Sequence, residues 1–144
     1  MAKMIREVMT RDVEVINPND TLRDAAEKMR SLNVGPIPVC DGQRVLGMIT
    51  DRDIVVRAIA LGKDPNTTQV SDVMTSGIQY CFDDDDADDI LNRMKEKQIR
   101  RFIVVDHDKK LVGIVALGDL SGETSEKKVG EALEGISEPA SSSI

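Results

Sequence analysis

The chain has 144 residues, of which 40% are hydrophobic and 31% charged, and these values suit one soluble globular domain with a real core. Its formal net charge of −7 argues against nucleic acid as the main partner, because contacts to a phosphate backbone need clustered lysines and arginines. No apolar run reaches the length of a membrane span and no signal peptide is visible, so we expect a cytoplasmic protein with no membrane partner.

Few side chains of the sequence could carry catalysis or bind a metal. Cys40 and Cys81 have no metal-type spacing and favour two free thiols in a reducing cytosol, with a disulfide between them as the alternative. The single histidine, His107, stands in a polar turn and favours a solvated residue over a general base. The acidic run at 83–86 admits a divalent cation, but carboxylates gathered at a helix N-terminus are the favoured explanation. No nucleophile–base pair is recognisable, so we expect no enzyme, no catalytic residue, no metal and no catalytic cofactor.

The first half of the chain predicts two helices and three strands. Leu22, Ala25 and Met29 fall on one helical face. Asp41-Gly42 is typical of a hairpin turn. The predicted elements are a strand at 13–16, a helix at 22–32, strands at 36–40 and 45–50, and a helix that begins at Asp53 and ends at Gly62.

The second half repeats the first at an offset of 65 residues, which becomes 66 after one extra residue in a turn. Val8-Met9-Thr10 returns as Val73-Met74-Thr75, and Gly47 and Asp53 return as Gly113 and Asp119. The matching elements are a strand at 78–82, a helical face of Ile90, Leu91 and Met94, strands at 99–105 and 111–115, and a helix begun by Asp119. Two copies of one supersecondary unit are therefore predicted, at 4–62 and 70–121. A linker at 63–69 joins them, and a partly disordered extension follows at 122–144.

The junction after the third strand of each copy carries the chemistry of interest. Thr50 and Asp53 lie three residues apart where a buried strand is expected to break into a helix. A carboxylate can accept two hydrogen bonds from a diol, and a helix N-terminus favours anions, so the junction suits a sugar phosphate. The alternative is that Asp53 and Asp119 only cap their helices.

Taken together and in order, these motifs resemble the tandem cystathionine-β-synthase (CBS) domain pair, or Bateman module. The resemblance covers about residues 4–121 and extends to small stand-alone bacterial proteins of this family. It rests on Val8-Met9-Thr10, Val34-Gly35-Pro36-Ile37-Pro38-Val39 and Gly47-x-x-Thr50-x-x-Asp53, with their second-copy partners Val73-Met74-Thr75, Ile99-Arg100-Arg101-Phe102-Ile103-Val104 and Gly113-x-x-Ala116-x-x-Asp119. The implied fold is α/β, more closely α+β, with two β-α-β-β-α repeats packed sheet to sheet about a pseudo-twofold axis.

The resemblance implies a regulatory module that binds an adenosine nucleotide in the cleft between the repeats and acts as an energy or metabolite sensor. AMP, ADP and ATP are the first candidate ligands, and NAD and S-adenosylmethionine are further ones. A homodimer and an unidentified protein effector are the implied partners. The apolar positions Ile54, Val55, Ala58 and Ile59, with part of the Leu22–Leu32 face, are expected on the dimer face. The alternative is a structural or interaction dimer whose clefts stay empty.

The resemblance also implies two ligand sites. In site one, Thr50 and Asp53 hold the ribose and Arg100 and Arg101 reach a phosphate, although a solvated surface is the alternative for these two arginines. The whole of site one is Met48, Thr50, Arg52, Asp53, Ile78, Tyr80, Ile99, Arg100 and Arg101. Site two is Val13, Val34, Gly35, Ile114 and Asp119. It departs from the family pattern, because Ala116 replaces the hydroxyl, Gly118 offers no side chain and Gly35-Pro36 replaces the basic pair, so weaker binding is expected there.

Overall fold

The structure, a computed structural model, describes residues 3–120. These residues form two compact units, which we call the first unit (residues 14–78) and the second unit (residues 3–13 and 79–120). Helices and short sheets alternate in both units, which confirms the predicted α+β class. The predicted sheet-to-sheet packing and repeat boundaries stay predictions, and the extension at 122–144 lies outside the described residues.

The first unit is a two-stranded antiparallel sheet with four helical segments. Its hairpin consists of β1 (Pro36–Asp41) and β2 (Arg44–Thr50), and Pro36 pairs with Thr50. The helical segments are α1 (Leu22–Leu32), α2 (Asp51–Ile54), a π-helical turn (Val55–Ile59) and α3 (Val70–Val73). Their buried apolar side chains form a single core of Ile16, Leu22, Ala25, Met29, Ile37, Val39, Ile49, Ile54, Ala58, Val70 and Val73.

The second unit has a three-stranded sheet in the order β3-β4-β5. It contains a 3₁₀ turn (Ile5–Glu7), β3 (Tyr80–Phe82), α4 (Ala87–Lys97), β4 (Arg101–Val105), β5 (Leu111–Ala116) and α5 (Leu117–Leu120). Strand β3 runs parallel to β4, and β5 runs antiparallel to it. Phe102, which is 1% exposed, is the largest fully buried side chain of its core.

The long helices of the two units, α1 and α4, have similar caps at both ends. Thr21 caps α1 by accepting a hydrogen bond from the Asp24 N–H at 3.2 Å, and Asp86 caps α4 by accepting from the Asp88 N–H at 2.8 Å. At the other end, Asn33 and Gln98 adopt left-handed backbone conformations with φ values of 55° and 56°. Because these two residues are 65 positions apart, the predicted repeat is reproduced in the backbone geometry.

Each unit is completed by a segment that belongs to the other sequence repeat. Thr10, from the first repeat, exchanges two backbone hydrogen bonds with Ile114 in the second unit, at 2.8 and 3.0 Å. Thr75, from the second repeat, makes the same pair with Met48 in the first unit, at 2.8 and 2.9 Å. The compact units therefore do not coincide with the sequence repeats.

The pairing of these exchanged segments explains why Gly47 and Gly113 are glycines. A Cβ atom added at Gly47 would overlap the Thr75 carbonyl oxygen, and one added at Gly113 would lie 2.6 Å from the Thr10 carbonyl oxygen. Both contacts are closer than real Cβ atoms allow, so the side chain must be absent for the segments to pair. The glycine of the Gly-x-x-Thr-x-x-Asp motif thus serves the fold of the unit.

Some predicted strands are shorter in the structure. Residues 13–16 form no strand, because only Ile16 pairs, through a single parallel bridge to Val39. The strand expected at 78–82 begins at Tyr80, and the one expected at 99–105 begins at Arg101. Ile99 instead lies in the turn that follows α4, where its N–H donates to the Met94 carbonyl oxygen at 3.1 Å.

The prediction that Asp53 begins a helix was wrong. The helix begins at Asp51 with Thr50 as its N-cap, and it passes into a π-helical turn after Ile54. Asp119 likewise lies inside α5, which begins at Leu117. Ile54 and Ala58, expected on the exposed face, are 9% and 0% exposed and belong to the core of the first unit.

The sequence also predicted the state of the two cysteines and of the single histidine. Cys40 and Cys81 are free and buried, as expected, and burial raises the pKa of the Cys81 thiol to about 12. His107 is exposed, also as expected, and its Nε2 lies 2.8 Å from Oδ2 of Asp84. Among residues 3–120, no helix is long and apolar enough to cross a membrane.

Candidate functional site

The β2–α2 junction holds two buried polar side chains. Thr50 and Asp53 are 3% and 8% exposed, and they are the buried polar or charged residues among those described. The Thr50 hydroxyl oxygen accepts a hydrogen bond from the Asp53 N–H at 3.0 Å, and Oδ2 of Asp53 accepts from the Thr50 N–H at 3.0 Å. The pair is a capping box. Asp53 therefore takes part in capping the helix, which is the structural role that the sequence left open as the alternative to ligand binding.

The Asp53 carboxylate has further partners in the first unit. The Thr75 hydroxyl donates to it, with distances of 3.2 Å to Oδ1 and 3.4 Å to Oδ2. The Arg57 Nε atom lies 3.8 Å from Oδ1 and supplies a compensating positive charge. Arg57 also donates to the carbonyl oxygens of Val73 and Met74, at 3.5 and 3.4 Å. Asp53 therefore joins β2, α2 and the 70–75 segment.

The carboxylate keeps some capacity for a ligand. Two carboxylate oxygens offer about four acceptor positions, and the Thr50 N–H and the Thr75 hydroxyl do not fill all of them. The carboxylate therefore has acceptor positions beyond those that these two groups use.

The corresponding junction of the second unit is simpler. Oδ2 of Asp119 accepts from the Ala116 N–H at 2.7 Å, but Ala116 has no hydroxyl to return the bond. Asp119 is half-buried, whereas Asp53 is buried. Only half of the capping box is therefore kept in the second unit.

A second pair of equivalent contacts places residues 35 and 100 beside the two junctions. The Asp51 N–H donates to the Gly35 carbonyl oxygen at 3.1 Å, and the Leu117 N–H donates to that of Arg100 at 2.7 Å. A Cβ atom added at Gly35 would lie 3.2 Å from Oδ1 of Asp51. A carboxylate thus lies against the first-unit position that is equivalent to Arg100.

The predicted site residues divide between the units. For site one, Met48, Thr50, Arg52, Asp53 and Ile78 lie in the first unit, and Tyr80, Ile99, Arg100 and Arg101 lie in the second. For site two, Val34 and Gly35 lie in the first unit, and Val13, Ile114 and Asp119 lie in the second. Within its unit, the structure brings Thr50 and Asp53 into direct contact, and the union of the two sets in a cleft stays a prediction.

The exposure of these side chains suits different roles. Met48 is 5% exposed and lines the junction from β2, whereas Arg52 and Arg100 are exposed and Arg101 is half-buried. Tyr80 is 40% exposed, and its ring contacts the edge of Phe82 at a centroid distance of 5.9 Å. An exposed aromatic ring can stack on a base, and exposed guanidinium groups can bind a phosphate.

Sequence reasoning missed two residues of the junction, Thr75 and Arg57. Thr75 belongs to the repeated Val-Met-Thr motif, but this motif by itself does not predict a contact with Asp53. The signal that could have found Arg57 is its position four residues after Asp53, where an arginine can pair with a carboxylate along a helix.

Metal-ligating side chains do not gather in the part of the chain that the structure describes. Among residues 3–120, no group of three or more His, Cys, Asp or Glu side chains is placed to hold a metal ion. In the acidic run, Oδ2 of Asp85 accepts from the Phe82 N–H at 2.9 Å and Asp86 caps α4. These two carboxylates therefore stabilise local backbone.

A comparison with protein families identifies the class to which this fold and junction belong. The family model for the CBS domain matches residues 5–59 and 70–126, so the chain belongs to the CBS domain family with two repeats. CBS domain pairs are regulatory modules.

Several relatives resemble the chain over most of its length. It is 41% identical over 134 residues to the CBS domain-containing protein YhcV of Bacillus subtilis, covering 92% of this chain and 94% of that protein. It is 35% identical over 135 residues to hypoxic response protein 1 of Mycobacterium tuberculosis, covering 93% and 94%.

Solved structures share the fold. Hypoxic Response Protein I with two coordinated zinc ions has a TM-score of 0.76 and 35% identity, over 85% of this chain and all of that one. CBSX2 in complex with AMP has a TM-score of 0.71 and 26% identity, over 83% and 93%.

Proposed function

We propose that this protein is a regulatory module that binds an adenosine nucleotide at site one, with no catalysis of its own. Thr50 and Asp53 take the ribose, and Arg100 and Arg101 take the phosphate. The observation that carries this proposal is the buried Thr50–Asp53 pair, whose carboxylate retains acceptor capacity, in a chain of the CBS family. Its structural neighbour CBSX2 binds AMP, and S-adenosylmethionine, ADP, ATP and NAD are the competing ligands to test.

Charge supports a difference between the two sites. Site one offers Arg100, Arg101 and Arg52, and guanidinium groups bind phosphate oxygens through paired hydrogen bonds. In the first unit, the place equivalent to Arg100 is Gly35, with the carboxylate of Asp51 against it. A carboxylate repels a phosphate, so site two is expected to bind nucleotides weakly or not at all.

A thermal-shift panel tests which ligand the protein takes. The purified chain is heated with AMP, ADP, ATP, NAD, S-adenosylmethionine or adenosine at concentrations far above the expected Kd. A ligand at about 100 times its Kd should stabilise the native state by about 2.7 kcal/mol, which raises Tm by several degrees. Guanosine nucleotides serve as controls, and equal shifts for both bases would contradict an adenosine site.

A second candidate function, a structural or interaction dimer with empty clefts, also has an observation in its favour. Four of the six exposed large apolar residues of the first unit lie in or just after the π-helical turn, and the other two are Leu32 and Val34 near the end of α1. The four at the turn form the candidate interface. They are Val55, Val56, Ile59 and Leu61, with exposures of 57%, 47%, 55% and 70%. Contiguous exposed apolar residues on a small unit often mark an interface, and a twofold dimer is the commonest solution.

The dimer and the nucleotide site are compatible, so two measurements separate the candidates. Sedimentation equilibrium of the wild type and of Ile59→Asp tests the dimer, which the substitution should dissociate. If the wild type is a dimer and no adenosine compound shifts Tm, the interaction function replaces the nucleotide function. If the wild type is a monomer at micromolar concentration, the dimer is refuted.

A further inference from the structure

The Thr75 hydroxyl occupies the carboxylate edge that a ribose would need. It lies 3.2 Å from Oδ1 and 3.4 Å from Oδ2 of Asp53, so one hydroxyl spans both acceptor atoms. The Thr50 N–H already uses Oδ2 from the other side, and Asp53 is only 8% exposed. A diol that binds both oxygens along this edge must therefore replace the Thr75 hydroxyl.

The backbone of Thr75 cannot withdraw to make room. It exchanges two hydrogen bonds with Met48, at 2.8 and 2.9 Å, and its carbonyl oxygen occupies the space that a Cβ atom at Gly47 would need. The guanidinium of Arg57 holds the neighbouring carbonyl oxygens of Val73 and Met74. With this backbone held, a rotation of the Thr75 side chain is the smallest movement that frees the carboxylate edge.

We propose that the Thr75 hydroxyl competes with the ligand's ribose for Asp53 and thereby sets the affinity of site one. This inference rests on the proposed nucleotide function and deepens it, because it names the residue that limits binding. The Arg57 Nε atom lies 3.8 Å from Oδ1, so a positive charge beside the carboxylate does not depend on the Thr75 hydroxyl. The hydrogen bond that stabilises the ligand-free unit is the one that the ligand must break, so a single substitution affects stability and affinity in opposite directions.

The repeat supplies a matched control. Thr10 is the equivalent of Thr75 and makes the same backbone pair, with Ile114. Among the described residues, no hydrogen bond joins the Thr10 side chain to Asp119, whose Oδ2 accepts from the Ala116 N–H. Replacing Thr10 by valine thus changes the same residue type in the same backbone setting without freeing a carboxylate.

The test compares wild type, Thr75→Val and Thr10→Val by calorimetric titration with AMP and by thermal unfolding without ligand. Valine keeps the shape of threonine and cannot donate a hydrogen bond. We expect Thr75→Val to bind AMP at least about tenfold more tightly than wild type, as loss of a competing charge-assisted hydrogen bond implies, and to have a lower Tm without ligand. Thr10→Val should match wild type in AMP affinity.

The possible outcomes are distinct. If Thr75→Val binds AMP and wild type does not, the competition is stronger than expected and the inference stands. If wild type binds AMP and Thr75→Val binds equally or more weakly, the inference is overturned and the nucleotide site survives. If neither protein binds any adenosine compound, both the inference and the proposed nucleotide function are overturned.

Discussion

Replacing Thr50 by alanine should destabilise the protein, because Thr50 caps α2 from a buried position. The hydroxyl accepts from the Asp53 N–H at 3.0 Å, and the residue is 3% exposed. Loss of a threonine N-cap costs about 1 kcal/mol, within a range of about 0.5–2 kcal/mol. Loss of the buried methyl group adds about 0.8 kcal/mol, so the total is about 2 kcal/mol.

Two further variants isolate the hydroxyl. Thr50→Ser keeps the cap and loses only the methyl group, so it should cost about 0.8 kcal/mol. Ala116→Thr supplies the missing cap hydroxyl at the equivalent junction, where Asp119 already accepts from the Ala116 N–H, and should stabilise the chain by up to about 1 kcal/mol.

Chemical denaturation followed by circular dichroism measures these differences as changes in the midpoint at constant slope. The expected order of stability is Ala116→Thr, wild type, Thr50→Ser and Thr50→Ala. Equal stability of Thr50→Ala and Thr50→Ser would show that the hydroxyl does not cap the helix, and the interpretation of the junction would then be wrong.

Two other predictions concern the close contact at Gly47 and the pH dependence of stability. Gly47→Ala should destabilise the protein by about 1–3 kcal/mol, because the new Cβ atom would overlap the Thr75 carbonyl oxygen. Gly118→Ala is the control and should leave Tm near that of wild type, because the space around its Cβ position is open. Equal Tm values for the two variants would refute the close approach at Gly47. The hydrogen bond to Asp84 raises the pKa of His107 above 6.5, and the same bond to His107 lowers the pKa of Asp84 below 3.8. The stabilisation is therefore complete between pH 3.8 and 6.5, is lost as the pH rises through the raised pKa of His107, and is also lost as the pH falls through the lowered pKa of Asp84. His107→Gln should thus lower the free energy of unfolding at about pH 5 and have little effect at about pH 9, and an effect of the same size at both values would contradict the pairing.

Local sequence patterns predicted the long helices and the hairpins well. The apolar spacing of Leu22, Ala25 and Met29 matched α1, and all three side chains are buried. The Asp41-Gly42 signal matched the turn of the first hairpin, where Gly42 has a φ of 64°. These elements depend on neighbours within a few residues, so their determinants are visible in a short stretch of sequence.

Contacts between residues that are far apart in the sequence could not be predicted from such local patterns. The exchange of the Val-Met-Thr segments pairs Thr10 with Ile114 and Thr75 with Met48, and no local pattern states which repeat a segment completes. The strand expected at 13–16 reduces to one bridge at Ile16, because the sheet of the first unit gives it a single partner, Val39.

The candidate site was predicted in part. The pair Thr50 and Asp53 was correctly identified as a unit, but the roles within the helix cap were reversed, since Thr-x-x-Asp places the cap at the hydroxyl. Thr75 was missed as a partner of Asp53 because its hydroxyl acts 22 residues away in sequence. The joining of Asp53 with Arg100 and Arg101 around one ligand stays a prediction.

Calorimetric titration of AMP into wild type, Asp53→Asn and Asp119→Asn tests the central claim most directly. Asparagine keeps an acceptor for the Thr50 N–H or the Ala116 N–H, so both variants are expected to fold, and circular dichroism verifies this. We predict one strong site per chain, abolished by Asp53→Asn and left almost unchanged by Asp119→Asn. Loss of AMP binding in Asp119→Asn with binding retained in Asp53→Asn would contradict the assignment of the nucleotide to site one.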